Sequence, residues 1–268
     1  MGTVRRVSGT RDVYTFGDDD VAARRLDLLA HVYEPPTRAL LARWAPPVVG
    51  LAVDLGCGPG RTTRLLHDVV GAARIVGVER SPAYLEAARA YLADVPGAEV
   101  VEHDVTRSPL PVEGADLVFA RFLLTHLSGP RRALEVWAEA LAPGGRLIVQ
   151  ETARLVSRDP ALGRYYELVA ELQAMHEQAL DVGAQLPGLA AAAGLQVEHA
   201  ARRSVWQRPA EMAALHVLNM RTWRQDPLAG GFDADELDAL DEALVAIARG
   251  GPSEPVEQEL GELVATGG

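Results

Sequence analysis

Leu51-Ala-Val-Asp-Leu-Gly-Cys-Gly-Pro-Gly60 is the stretch whose reading decides the fold. Leu51, Ala52, Val53 and Leu55 bracket a single acid, Asp54, as at the end of a buried strand. Gly56, Gly58 and Gly60 follow at alternate positions, and Arg61-Thr-Thr-Arg-Leu-Leu66 opens a helix behind them. Glycines spaced in this way let a strand turn sharply into a helix while a ligand approaches bare backbone. The physical reading is a nucleoside-containing ligand over the carboxyl edge of a parallel sheet.

Downstream the chain alternates. Arg74–Glu79 is predicted as a second strand, Ser81-Pro82 as a helix start, Glu99–Glu102 as a third strand and Asp116–Ala120 as a fourth. A helix is predicted over Pro130–Leu141, closed by Ala142-Pro-Gly-Gly145, with a fifth strand over Arg146–Gln150. Such alternation implies parallel strands and right-handed crossovers, hence a doubly wound, Rossmann-like α/β sheet of about seven mostly parallel strands. Residues 1–47 read as N-terminal cap helices, broken at Pro35-Pro36, and residues 48–268 as one domain. Helical insertions after the fifth and sixth strands, at about 153–182 and 207–253, form a lid over an acceptor pocket. Tyr165, Leu168, Leu172, Met175 and Ala179 mark the stripe of the first insertion helix, predicted over Pro160–Leu180. The sixth and seventh strands are read at Leu195–Val205 and Val256–Ala265.

Composition narrows the function. At 268 residues and 48% hydrophobic content the chain can bury a full core, with no run of the ~18–20 apolar residues that a membrane span needs. No secretory signal opens the chain, and the one cysteine, Cys57, fits a cytoplasmic protein. Every basic residue is arginine, which excludes a Schiff-base lysine and a Walker A lysine. Asp226–Gly268 holds eleven acids against Arg249 alone, out of a net charge of −11, which argues against nucleic-acid partners. A solvated helix face explains the same run.

The acids fall at strand ends. Asp54 sits beside the glycine turn, Glu79 closes the second strand about 20 residues on, and Asp104 follows the third. Glu79 is placed to accept from two ribose hydroxyls, Asp104 to hold an adenine amino group. A dinucleotide fingerprint sets its third glycine three positions after the second, whereas Gly60 follows Gly58 by two.

Here the chain resembles the class I S-adenosylmethionine-dependent methyltransferases of small-molecule type, related to those of ubiquinone and menaquinone biosynthesis. VDLGCGPG (53–60), VGVERSP (76–82), HDV (103–105), ADLVFARFLLTHL (115–127) and LAPGGRLIVQE (141–151) carry the likeness. The resemblance implies S-adenosyl-L-methionine as cofactor, S-adenosyl-L-homocysteine as product and no metal. By it, Gly56, Gly58 and Gly60 pass under the methionine part, Glu79 with Arg80 borders the ribose, and Asp104 with Val105 holds adenine. Arg121 lies beside the methionine moiety, and Tyr14 looks like a lid tyrosine. The implied reaction is methyl transfer to an O, N or C nucleophile of a small, partly apolar metabolite, with secondary metabolism as one setting. The alternative is a cofactor-binding protein of this fold without methyl transfer, such as a cyclase, decarboxylase or regulator. His126 is the first candidate base and Glu151 the second, although in-line attack on a sulfonium methyl needs no dedicated base. Tyr165, His176, His216, Asn219 and Trp223 are assigned to the acceptor pocket, along with Tyr166 and Trp206, against core packing as the rival reading. A homodimer is compatible with the chain.

Overall fold

The computed structural model describes residues 20–268, with side chains from Arg25 onward; the expectation for Tyr14 lies outside them. Seven strands form one sheet: β1 (Leu51–Leu55), β2 (Arg74–Glu79), β3 (Ala98–Glu102), β4 (Ala115–Arg121), β5 (Leu141–Val156), β6 (Gln196–Gln207) and β7 (Val256–Thr266). Their order is β3-β2-β1-β4-β5-β7-β6. The first five run parallel, and β7 is antiparallel to both β5 and β6. This is the doubly wound α/β sheet expected, with its order reversing between β1 and β4.

Alternation along β4 shows how both faces are covered. Leu117 and Phe119 point into a core with Leu40, Leu41, Leu66 and Ile75, where α1 (Asp20–Trp44) and α2 (Arg61–Val70) pack. Val118 and Ala120 point the other way, into a core with Leu134 and Trp137 of α4 (Pro130–Ala138) and Leu186 and Ala190 of α6 (Leu186–Ala192). A third core joins Tyr33 of α1 to α5 (Pro160–Met175), α7 (Pro209–Trp223) and α8 (Ala234–Ala248). It packs on the β5, β7 and β6 end of the sheet through Leu155, Val256, Leu260 and Val205. The remaining helix, α3 (Pro82–Tyr91), starts with Ser81 accepting from the Tyr84 amide, as the Ser-Pro pair foretold. None of the described helices is long and apolar enough to cross a membrane.

Three expectations need correction. The prolines at 35 and 36 do not break the first helix; α1 runs through them. Two backbone N–H groups are missing there, but Val32, Tyr33, Leu40 and Leu41 are buried on both sides, and the Thr37 hydroxyl donates to the Tyr33 carbonyl at 2.8 Å. Packing outweighs the local defect. The Ala142–Gly145 turn does not cap a helix. It is a bulge inside β5, because the pairing steps from Ala115↔Leu141 to Leu117↔Arg146. Helix α5 ends at Met175, which is half exposed, and Glu177 follows in a left-handed conformation (φ 59°).

Trp137 is fully buried on α4, and its indole N–H donates to the Val105 carbonyl at 2.9 Å. Trp137→Phe removes that bond and leaves a void, so urea denaturation is expected to show a loss of about 2–4 kcal/mol with an unchanged m-value.

Candidate active site

A cavity of about 570 Å³ opens at the carboxyl ends of β1, β2 and β4 and is walled by α1, α5 and α7. Its sheet side is built from loops that the backbone itself holds. The Gly56 and Cys57 amides both donate to the Val78 carbonyl, at 2.8 and 3.1 Å. Gly56 has φ 64°, and a side chain there would meet Leu123 at 2.8 Å, so this turn admits only glycine. The Glu79 carboxylate accepts the Gly58 amide on one oxygen (3.0 Å) and the Arg80 and Ser81 amides on the other (2.8 and 2.9 Å). Asp54 accepts from the hydroxyls of Thr62 and Thr63, each at 2.7 Å, and burial raises its carboxyl to about 6 against those bonds.

Asp104 sits at the far end of this side. Partial burial pulls its carboxyl up, yet bonds from the Thr106 hydroxyl and amide, together with the charges of Arg107 and Arg80, hold the group below its ordinary range. Val105 lines the cavity beside it. Arg121 donates to the Thr37 hydroxyl at 3.1 Å. Burial lowers its guanidinium to about 10 while Asp54 opposes the shift, so it stays cationic at neutral pH. Asp54, Gly56, Gly58, Glu79, Arg80, Asp104, Val105 and Arg121 therefore share one cavity wall. Gly60 does not. It begins α2 with φ 87° and packs against Leu92, where a side chain would approach to 3.0 Å.

The two candidate bases fare differently. His126 lines the cavity at the end of a short 3-10 turn, Leu124–His126, but burial, with Arg25 and Arg80 adding, drives its imidazole down to about 3. It is neutral at physiological pH and a poor proton acceptor. Glu151 is absent from the cavity wall. It is fully buried behind the loop that follows β4, and one oxygen accepts the Leu123 and Leu124 amides, each at 2.7 Å. Burial raises its carboxyl to about 8 against those bonds. Its task is to position this loop, in which Phe122 takes a left-handed φ of 51°.

Among the residues assigned to the acceptor pocket, Tyr165, His216 and Asn219 reach the cavity. His176 does not: its Nε2 lies 2.8 Å from Asp226 Oδ2, a hydrogen bond that fastens the end of α5 to the Pro227–Gly231 turn. Trp223 is fully buried behind Tyr165, edge-on to Phe232 at 6.1 Å. Trp206 lies on β6 and is 66% exposed. The sequence reading missed Arg25, Tyr33, Gln173 and Gln258, all in the cavity wall. Tyr33 donates to Gln258 Oε1 at 2.6 Å, and the Gln173 amide donates to the Thr125 carbonyl at 3.3 Å. Two signals were present: an arginine beside the apolar positions of α1, and a glutamine completing the Tyr166, Val169, Gln173 stripe of α5. Among the described residues, Arg25 is the one charged group on the helical side of the cavity, and no acid lines that side.

A glycine turn, three strand-end acids and a roofed cavity at the switch point define a nucleoside-cofactor enzyme of the doubly wound class. Residues 53–149 match the family model described as a methyltransferase domain. A trans-aconitate 2-methyltransferase of Variovorax paradoxus is 31% identical over 208 residues, 75% of this chain and 78% of that protein. One of Paracidovorax citrulli is 40% identical over 116 residues, so the chain spans only 44% of that relative's length. The phosphoethanolamine N-methyltransferase 2 of Haemonchus contortus, solved with S-adenosylhomocysteine, shares the fold at a TM-score of 0.56 and 17% identity, over 95% of this chain and 60% of that one. The chain belongs to the class I S-adenosylmethionine-dependent methyltransferases.

Because Glu151 has a raised value, the folded state holds a proton between about pH 4.5 and 8 that the unfolded chain has lost. Its contribution is complete below that window and falls away as pH rises through it. Urea denaturation at pH 5, 6.5 and 8 should show Glu151→Gln losing less stability across the range than the unsubstituted protein; parallel profiles would remove the carboxyl from this role.

Proposed function

We propose that the protein transfers the methyl group of S-adenosylmethionine to an O, N or C nucleophile of a small, largely apolar acceptor held between α1, α5 and α7. The convergence of Gly56, Gly58, Glu79 and Asp104 on one wall, opposite a helical wall lined by aromatic and aliphatic side chains, carries this reading. The residues fit the cofactor. Bare backbone at 56 and 58 would admit close approach, the Glu79 carboxylate would accept from the ribose hydroxyls, Asp104 and Val105 would hold the adenine, and the Arg121 guanidinium would suit the carboxylate. When bound, S-adenosylmethionine supplies a methyl group activated by a positively charged sulfur. The protein's share is to position the acceptor in line and to exclude water, for which α1, α5 and α7 form the roof.

The curated relatives are named for trans-aconitate, a tricarboxylate. Among the described residues Arg25 is the one charged side chain on the helical wall, with Arg61, Arg80 and Arg121 elsewhere in the lining, so three negative charges buried against that wall would leave charge uncompensated at a cost of several kcal/mol per ion. The acceptor of this chain is accordingly less charged.

Calorimetry should detect S-adenosylhomocysteine binding, and Glu79→Ala should weaken it roughly tenfold or more. With labelled cofactor, an apolar acceptor from an extract should gain label while trans-aconitate gains little. Undetectable binding, or Glu79→Ala leaving it unchanged, would sink the cofactor assignment. Efficient labelling of trans-aconitate would sink the acceptor class. Binding with no transfer to any acceptor would favour the reading as a cofactor-binding protein without methyl transfer.

A further inference from the structure

On the helical wall, His216 and Tyr166 form a pair that the scheme above leaves without a task. His216 stacks on Tyr165 (centroids 4.2 Å apart, planes at 21°) and meets Tyr166 edge-on at 5.1 Å. Its Nε2 lies 3.1 Å from the Tyr166 hydroxyl. Its Nδ1 is buried and has no hydrogen-bond partner among the described residues. Tyr166 is itself 7% exposed and lines the cavity.

We propose that Tyr166, oriented by His216, is the hydrogen-bond donor through which the acceptor pocket reads an oxygen atom of its ligand. This rests on the acceptor site proposed above and narrows its ligand to an apolar body bearing a carbonyl, carboxylate or phenolic oxygen.

The placement of protons leads there. Burial pushes the His216 imidazole down to about 3, so the ring is neutral and carries one N–H. Burial holds the Tyr166 phenol well above its usual range, so the hydroxyl keeps its hydrogen. One proton lies between Nε2 and the hydroxyl oxygen. If the hydroxyl supplied it, the imidazole hydrogen would sit on Nδ1, an N–H sealed from water and from any acceptor. Buried N–H donors without partners are rarer than acceptors with a bare lone pair. The hydrogen therefore belongs on Nε2 and is donated to the Tyr166 oxygen. That oxygen makes no other hydrogen bond among the described residues. The tyrosine hydrogen is left for a group in the cavity that its ring lines. His216 is a positioning residue, set by the stack on Tyr165, and not a base.

Two measurements on the full chain saturated with S-adenosylhomocysteine test this. Long-range ¹H–¹⁵N spectra of histidine-labelled protein read the tautomer, with His216 assigned by its loss in His216→Phe. The Nε2–H form should persist, neutral, from pH 8 down to pH 5. An Nδ1–H form, or an imidazolium at pH 7, overturns the proposal without any variant having to fold beyond the assignment. In calorimetry with benzoate as the probe, Tyr166→Phe should weaken benzoate binding roughly tenfold and leave S-adenosylhomocysteine affinity unchanged. Equal benzoate affinities, or no binding by the unsubstituted protein at millimolar benzoate, also overturn it. Loss of S-adenosylhomocysteine binding in the unsubstituted protein would instead mark failure of the cofactor reading.

Discussion

The Glu79 carboxylate, gripped by three backbone N–H groups, is the interaction on which the rest of the site depends. Gly58 belongs to the crossover after β1, while Arg80 and Ser81 belong to the crossover after β2. One side chain thus fixes the separation of two loops at the sheet edge. Bonds from N–H groups to an ionised acceptor are about twice as strong as neutral ones, so the geometry is set before any ligand arrives. Constraint passes sideways from there. Leu123 lies directly under Gly56, and Leu123 is in turn pinned by Glu151 from β5. Four parallel strands, β2, β1, β4 and β5, are thereby linked at their carboxyl ends through one apolar contact and a handful of backbone bonds.

That arrangement explains what could be read in advance. Strand ends, glycine turns and strand-end acids are local in sequence, and the sheet converts their order into proximity, so Asp54, Glu79, Asp104 and Arg121 were legible as one wall. The helical side was not. Helical spacing says which residues share a face but not what the face meets. His176, His216 and Trp223 looked equivalent, yet His176 turned to Asp226, Trp223 sank into the roof core and only His216 reached the cavity. Glu151 failed for a related reason. Its position at a strand end suggested chemistry, but a carboxyl in a bulk-free interior finds the nearest orphan amides, and these were at Leu123 and Leu124. The proline pair in α1 and the bulge in β5 show tertiary packing overriding local signals that hold only for isolated segments.

The same division bears on how methyl transfer would proceed. General base catalysis works best when the base has a value near the working pH. Of the three histidines in the cavity wall, His126 and His216 are held near 3 by burial and the His103 ring lies 3.0 Å from the Arg107 carbonyl, while the carboxyl nearest the loop is sealed behind it. The helical wall has no described acid to take a proton. A site made this way leaves rate to positioning and desolvation, with the acceptor arriving already nucleophilic. It also makes selectivity a property of the roof. The part that matches the methyltransferase domain model, residues 53–149, contains the glycine turn and the strand-end acids, and α5 and α7 lie outside it. The insertions that supply α5 and α7 carry none of the strand-end acids, so the acceptor-facing side chains can change while Asp54, Glu79 and Asp104 stay. Substrate identity therefore has to be sought in Tyr166, His216 and their neighbours, and not in the glycine turn.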